Sequence, residues 1–248
     1  MKYALIPVIL ASLTIIGCTS DTSSREKIQP GNVIYSESVT IIDTDRNRPI
    51  PMEIYQNTDQ NHQRGLAIVN AGYGSSNTEY TYLCRHLAEL DYFVVSTHHE
   101  QPNDPMIPTG DSIFLKRLPM WSHGILNVEA IIDYVKNEYS NITSDQLLLA
   151  GHSNGGDIAV LFASRTPEKV NALITLDHRR VPLPRNPEFP IITFRSNNYE
   201  ADPGVLPETN SENITVVPLE VGHNYYRDIG SKEIKKAVCQ EIDKQLLH

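Results

Sequence analysis

The residues Gly151-His152-Ser153-Asn154-Gly155-Gly156 set one serine between glycines two before and two after it. The apolar run Gln146-Leu147-Leu148-Leu149-Ala150 leads in, and a helical pattern from Asn154 to Ser164 leads out. This is the GxSxG pattern in the context of strand, sharp turn and helix that thrusts a serine hydroxyl out at the edge of a sheet. The helix N-terminus behind it also favours developing negative charge. A serine is a weak nucleophile on its own; it needs an adjacent base, and the base needs an orienting group. Three histidines follow Ser153, namely His178, His223 and the terminal His248. His223, in Glu220-Val221-Gly222-His223-Asn224, lies between the last apolar run and the last helical pattern and is the expected base. His178 is expected to be a surface or supporting residue. No metal is expected: His98, His99 and Glu100 are consecutive at a strand end, where adjacent side chains point opposite ways.

The elements that must position these groups alternate along the chain. Short apolar runs predict strands over Ser38–Ile42, Ile50–Gln56, Leu66–Val69, Tyr92–Ser96, Gln146–Ala150, Ala172–Leu176, Pro190–Phe194 and Ile214–Pro218. Helical spacing predicts helices over Glu79–Leu90, Ser122–Tyr139 and Asn154–Ser164, and a last one through Ile234, Val238, Ile242 and Leu246 with Ser231 as its N-cap. Strands alternating with long helices predict an α/β protein with a mostly parallel sheet, whose ligands sit at the carboxyl ends of the strands. The loop Asn70-Ala71-Gly72-Tyr73-Gly74-Ser75-Ser76 follows one such strand and lets the main chain approach a substrate closely.

The Gly151–Gly156 motif, the Gly72-Tyr73-Gly74 loop and Gly222-His223 together resemble bacterial α/β-hydrolases of the dienelactone-hydrolase and cutinase-like kind. The segment Asp45-Arg46-Asn47-Arg48-Pro49-Ile50-Pro51 resembles the early strands of relatives of platelet-activating-factor acetylhydrolase. The resemblance spans roughly residues 38 to 245 and implies the α/β-hydrolase fold. It implies the order serine, acid, histidine along the chain. It favours Asp202 as the acid, with Asp177 and Glu200 as alternatives. It implies an oxyanion hole from the backbone N–H groups of Tyr73 and Asn154. The chain departs from the pattern at Ala71-Gly72, where many members have His-Gly, and at Asn154, where many carry a bulky apolar residue. Dienelactone hydrolases use a cysteine nucleophile, and the serine here disfavours that reaction.

Residues 1–17 read as a signal peptide: Lys2 opens it, and the apolar run Tyr3 to Gly17 is short for a bilayer span. It ends in Ile15-Ile16-Gly17-Cys18, which resembles the lipobox of bacterial lipoproteins. The resemblance implies lipidation of Cys18, an envelope location and a membrane anchor. Residues 18–32 then form a polar tether, and 33–248 the catalytic domain. A chain of 248 residues suits one domain of this size. The net charge of −9 repels phosphate backbones and argues against nucleic acid as a partner. Cys84 and Cys239 fall in predicted helices and read as buried thiols more readily than as a disulfide.

The expected activity is hydrolysis of a small-molecule or lipid carboxylic ester through an acyl-enzyme, with no cofactor. An acyltransferase on the same residues and a non-catalytic surface lipoprotein are the alternatives. Only about a dozen residues separate the strand ending at Leu176 from the next, fewer than a helical lid needs, so the site is expected to be open. The longest irregular stretch is read as His98 to Trp121. Trp121 and Met106 from it, together with Tyr73, are expected to line the substrate pocket; the alternative for Trp121 is to serve only as core.

Overall fold

The computed structural model describes residues 3–6, 33–58, 64–208 and 212–247. Cys18, the tether 18–32 and nearly all of the segment read as a signal peptide lie outside the described residues. Among the described residues nine strands form one sheet: β1 (Tyr3–Ile6), β2 (Ile34–Asp43), β3 (Arg48–Asn57), β4 (Gly65–Asn70), β5 (Tyr92–Thr97), β6 (Leu147–His152), β7 (Val170–Leu176), β8 (Ile191–Arg195) and β9 (Ile214–Pro218). Their order across the sheet is β1-β2-β3-β5-β4-β6-β7-β8-β9. The pairs β1/β2, β2/β3 and β3/β5 are antiparallel, and every pair from β5 to β9 is parallel. The expected mostly parallel α/β sheet is therefore present.

Burial follows from that topology. β4, β5 and β6 are buried at every position, because helices cover both faces of a parallel sheet. Helices α2 (Ile113–Glu138) and α3 (Ser153–Arg165) pack on one face with Ile68, Phe93, Val95 and Leu149. Helices α1 (Thr81–Glu89) and α4 (Lys232–Leu246) cover the other with Val69, Val94, Leu148 and Ile174. Ser231 caps α4, its Oγ accepting from Ile234 N at 3.3 Å. Among the described residues no helix is long and apolar enough to cross a membrane.

Two expectations need correction. The helix read as Ser122–Tyr139 starts nine residues earlier, at Ile113, and runs through Pro119. A proline forfeits the bond to the carbonyl four residues back, here that of Leu115; Leu115 and Pro119 are both exposed, so water can take that bond. The irregular stretch is accordingly shorter, from His98 to Ser112. The segment between β7 and β8 contains no helix, in line with the expected absence of a lid there.

Helix α3 meets the sheet backbone to backbone. A Cβ placed on Gly155 would lie 2.2 Å from Asn70 O and 2.3 Å from Ala71 O; one on Gly151 would lie 2.4 Å from Gly155 O. Rigid main chain cannot yield to such contacts. Gly155→Ala is expected to destabilise the fold by about 1–3 kcal/mol, seen as a lower denaturation midpoint in urea at unchanged slope.

Candidate active site

β6 ends at His152, and the chain turns directly into α3 at Ser153. Ser153 holds φ at 51°, a left-handed conformation rare for a residue with a Cβ. Such strain costs on the order of 1–3 kcal/mol and persists where surrounding packing imposes it, as the α3–sheet contact does here. Ser153 is half-buried while its neighbours His152 and Asn154 are buried, so the serine is the open point of the turn.

The histidine of this site is fixed on all sides. His223 begins a short 3-10 turn after β9. Its Nδ1–H donates to Asp177 Oδ2 at 2.6 Å. Its backbone N–H donates to Asn198 Oδ1 at 2.9 Å, and its carbonyl is held by His152 Nε2 at 3.0 Å. The rings of Tyr199 and His152 lie against it at centroid distances of 4.0 and 4.6 Å. Because a carboxylate only accepts, the bond to Asp177 leaves Nε2 as the nitrogen free to take a proton.

Asp177, not Asp202, pairs with His223. Asp177 ends β7 in a left-handed conformation, φ 58°, which swings its carboxylate under the histidine. It is fully buried and saturated: Ser196 N at 3.0 Å and Ser196 Oγ at 2.6 Å donate to it, and Arg195 Nη2 lies 3.1 Å away. Burial alone raises a carboxyl pKa, but the bonds from His223 and Ser196 and the Arg195 charge outweigh it, and Asp177 is held below the ordinary range. Asp202 is instead taken by Arg180 Nη1, with Arg179 Nε at 3.7 Å. Asp202 thus serves an ion pair that braces the Tyr199 loop, and Arg179 lies 4.3 Å over the Tyr199 ring. Glu200 is exposed in the same loop.

The loop after β4 completes the site. Gly72 N–H donates to Tyr80 Oη at 3.1 Å, which fixes the peptide before Tyr73. Tyr73 Oη accepts Ile107 N–H at 3.1 Å and ties this loop to the His98–Ser112 segment. The side chain of Asn154 is spoken for: Trp121 Nε1–H donates to its Oδ1 at 2.8 Å, and its Nδ2 faces Glu100 Oε1 at 3.4 Å. Trp121 is fully buried, so it is core that orients Asn154 and does not line a pocket. Met106 is 84% exposed and lines nothing enclosed. Burial pushes the Glu100 carboxyl up to about 7.

His98, His99 and His178 are held within the fold. His98 Nδ1 meets Asn77 Oδ1 at 3.2 Å, whereas His99 Nε2 meets Asn70 Oδ1 at 2.9 Å, so the pair diverges. His178 is buried, contrary to a surface position; Thr175 Oγ1 lies 2.8 Å from its Nδ1, and burial and the Arg195 charge lower its pKa to about 3. Among the described residues no group of three or more His, Cys, Asp or Glu could hold a metal ion. Cys84 and Cys239 are free thiols.

No family model and no curated relative matches the chain. Solved structures do. One is a protein from Klebsiella pneumoniae subsp. pneumoniae provisionally designated a dienelactone hydrolase, with TM-score 0.60 and 15% identity over 86% of this chain and 98% of that one. Another is a dienelactone hydrolase-like promiscuous phosphotriesterase from metagenomic libraries, with TM-score 0.60 and 13% identity over the same shares. Together with the strand order and the turn at Ser153, these likenesses establish that the chain adopts the α/β-hydrolase fold.

Proposed function

We propose that this protein is a serine hydrolase that cleaves carboxylic esters through Ser153, His223 and Asp177. The observation that carries this reading is the 2.6 Å bond from His223 Nδ1 to the buried Asp177 carboxylate, on the same sheet edge as the strained serine turn. In this reading His223 Nε2 takes the Ser153 hydroxyl proton as Oγ attacks the ester carbonyl. Asp177 stabilises the resulting imidazolium without being protonated itself. The backbone N–H groups of Tyr73 and Asn154 hold the oxyanion, the latter at the positive end of α3. His223 then returns its proton to the leaving alcohol. Water, activated by the same histidine, hydrolyses the acyl-enzyme. We further assign Cys18 as a lipidation site that anchors the domain in the cell envelope; the lipobox-like Ile15-Ile16-Gly17-Cys18 supports it.

Hydrolysis of p-nitrophenyl esters across acyl lengths tests the reading. Ser153→Ala is expected to abolish turnover, and Asp177→Asn to lower kcat by about 10⁴-fold, because the wrong histidine tautomer is then held. Asp202→Asn is expected to stay within about tenfold of wild type. Equal losses in the two aspartate variants would contradict the assignment of the acid.

A pH effect follows from Glu100. Its carboxyl is neutral below about pH 7 and charged above it. A charge beside Asn154 opposes an oxyanion, so kcat for neutral esters is expected to fall a few-fold as pH rises through 7. Glu100→Gln removes that decline; a decline that persists in the variant assigns it elsewhere. For the anchor, Cys18→Ser is expected to lose incorporated fatty acid and move the protein from the membrane to the soluble fraction. Unchanged fractionation and labelling would remove the anchor from the account.

A further inference from the structure

A chain of hydrogen bonds runs from the loop after β4 to the histidine, through two buried residues the mechanism does not use, Tyr80 and His152. Gly72 N–H donates to Tyr80 Oη at 3.1 Å. Tyr80 Oη lies 2.8 Å from His152 Nδ1, and His152 Nε2 lies 3.0 Å from the His223 carbonyl. Tyr80 and His152 are at most 2% exposed. The proton positions along the chain are determined. A carbonyl only accepts, so His152 carries its proton on Nε2. Burial, and next the neighbouring His223, lower the His152 pKa to about 3, so the ring is neutral and Nδ1 is bare. Tyr80 must then donate to Nδ1 while its oxygen receives Gly72 N–H. Every donor in the series has one acceptor, and the direction is the same throughout.

We infer that Tyr80 and His152 are positioning residues that lock the oxyanion loop and the His223 loop to one another across the serine turn. The inference rests on the serine-hydrolase reading and extends it. One end of the chain sets the peptide that precedes the Tyr73 amide; the other sets the backbone that carries the base. His152 is the residue immediately before Ser153, so the nucleophile, its base and the oxyanion donor share one rigid reference. Neither Tyr80 nor His152 touches substrate in this scheme. Their loss displaces the groups that do, and a displacement near 1 Å at such a site costs up to about 100-fold in rate.

Tyr80→Phe deletes one oxygen and keeps the ring. On a p-nitrophenyl ester it is expected to lower kcat about 10- to 100-fold with KM within about twofold, since the bonds position the reacting groups and not the substrate. A folded Tyr80→Phe with wild-type kcat overturns the inference. The tautomer of His152 in the wild-type protein gives a second test that needs no folded variant at Tyr80. Long-range 1H–15N correlation spectra, with the His152 signals assigned by their loss in His152→Gln, are expected to show protonated Nε2 and bare Nδ1 from pH 5 to 9. A His152 ring that carries its proton on Nδ1, or that titrates in this range, overturns the chain of bonds. Wild-type protein with no Ser153-dependent esterase activity would instead overturn the hydrolase reading, and the tautomer would still report whether the chain of bonds exists.

Discussion

The first turn of α3 lies against the carboxyl ends of β4 and β6 with no space for a side chain at Gly151 or Gly155. The helix begins at once after β6, and Ser153 at this junction sits in the left-handed region. The serine is then held by packing and not by its own preferences, which is how a strained residue endures in a stable fold. The same close approach brings the Asn70–Gly74 loop beside the helix N-terminus. In the mechanism we propose, backbone donors from these two elements address one oxygen.

Around this fixed point the groups of the site are held by their neighbours. Asp177 has three donors and the Arg195 charge beside it, His223 is bonded at its ring, its amide and its carbonyl, and Asn154 is oriented by Trp121. Buried polar groups are costly unless paired, and here each pairing also fixes an orientation. Asp177 remains ionised despite its burial because these bonds are made to its charged form. Glu100 is the contrast: burial outweighs the bonds from Asn154 and from the His99 and Glu100 backbone, and its carboxyl is pushed up to about 7.

The serine turn and the position of His223 were legible in the sequence because both depend on local features. Small residues flank Ser153 between an apolar run and a helical pattern, and His223 falls between the last strand and the last helix. The partner of His223 was not legible. Asp177 and Asp202 both follow strands at the same sheet edge, and the choice between them lies in side-chain directions set by the tertiary fold. Two signals were available: Asp177 directly continues the apolar run Ala172–Leu176, and Arg179-Arg180 stand ready to neutralise a second carboxylate. Tyr80, Arg195, Ser196 and Tyr199 left no trace, since each meets its partner from 4 to 72 residues away, without a motif. The early start of α2 was hidden by Pro119, which reads as a break but sits on the wet side of the helix.

The most direct measurement is mass spectrometry of the protein after reaction with a fluorophosphonate, which phosphonylates only a serine that an adjacent base activates. The account predicts one adduct, on Ser153, formed rapidly in the wild type and Asp202→Asn proteins and far more slowly in Asp177→Asn. Failure of Ser153 to react, or equal rates in the two aspartate variants, would contradict it.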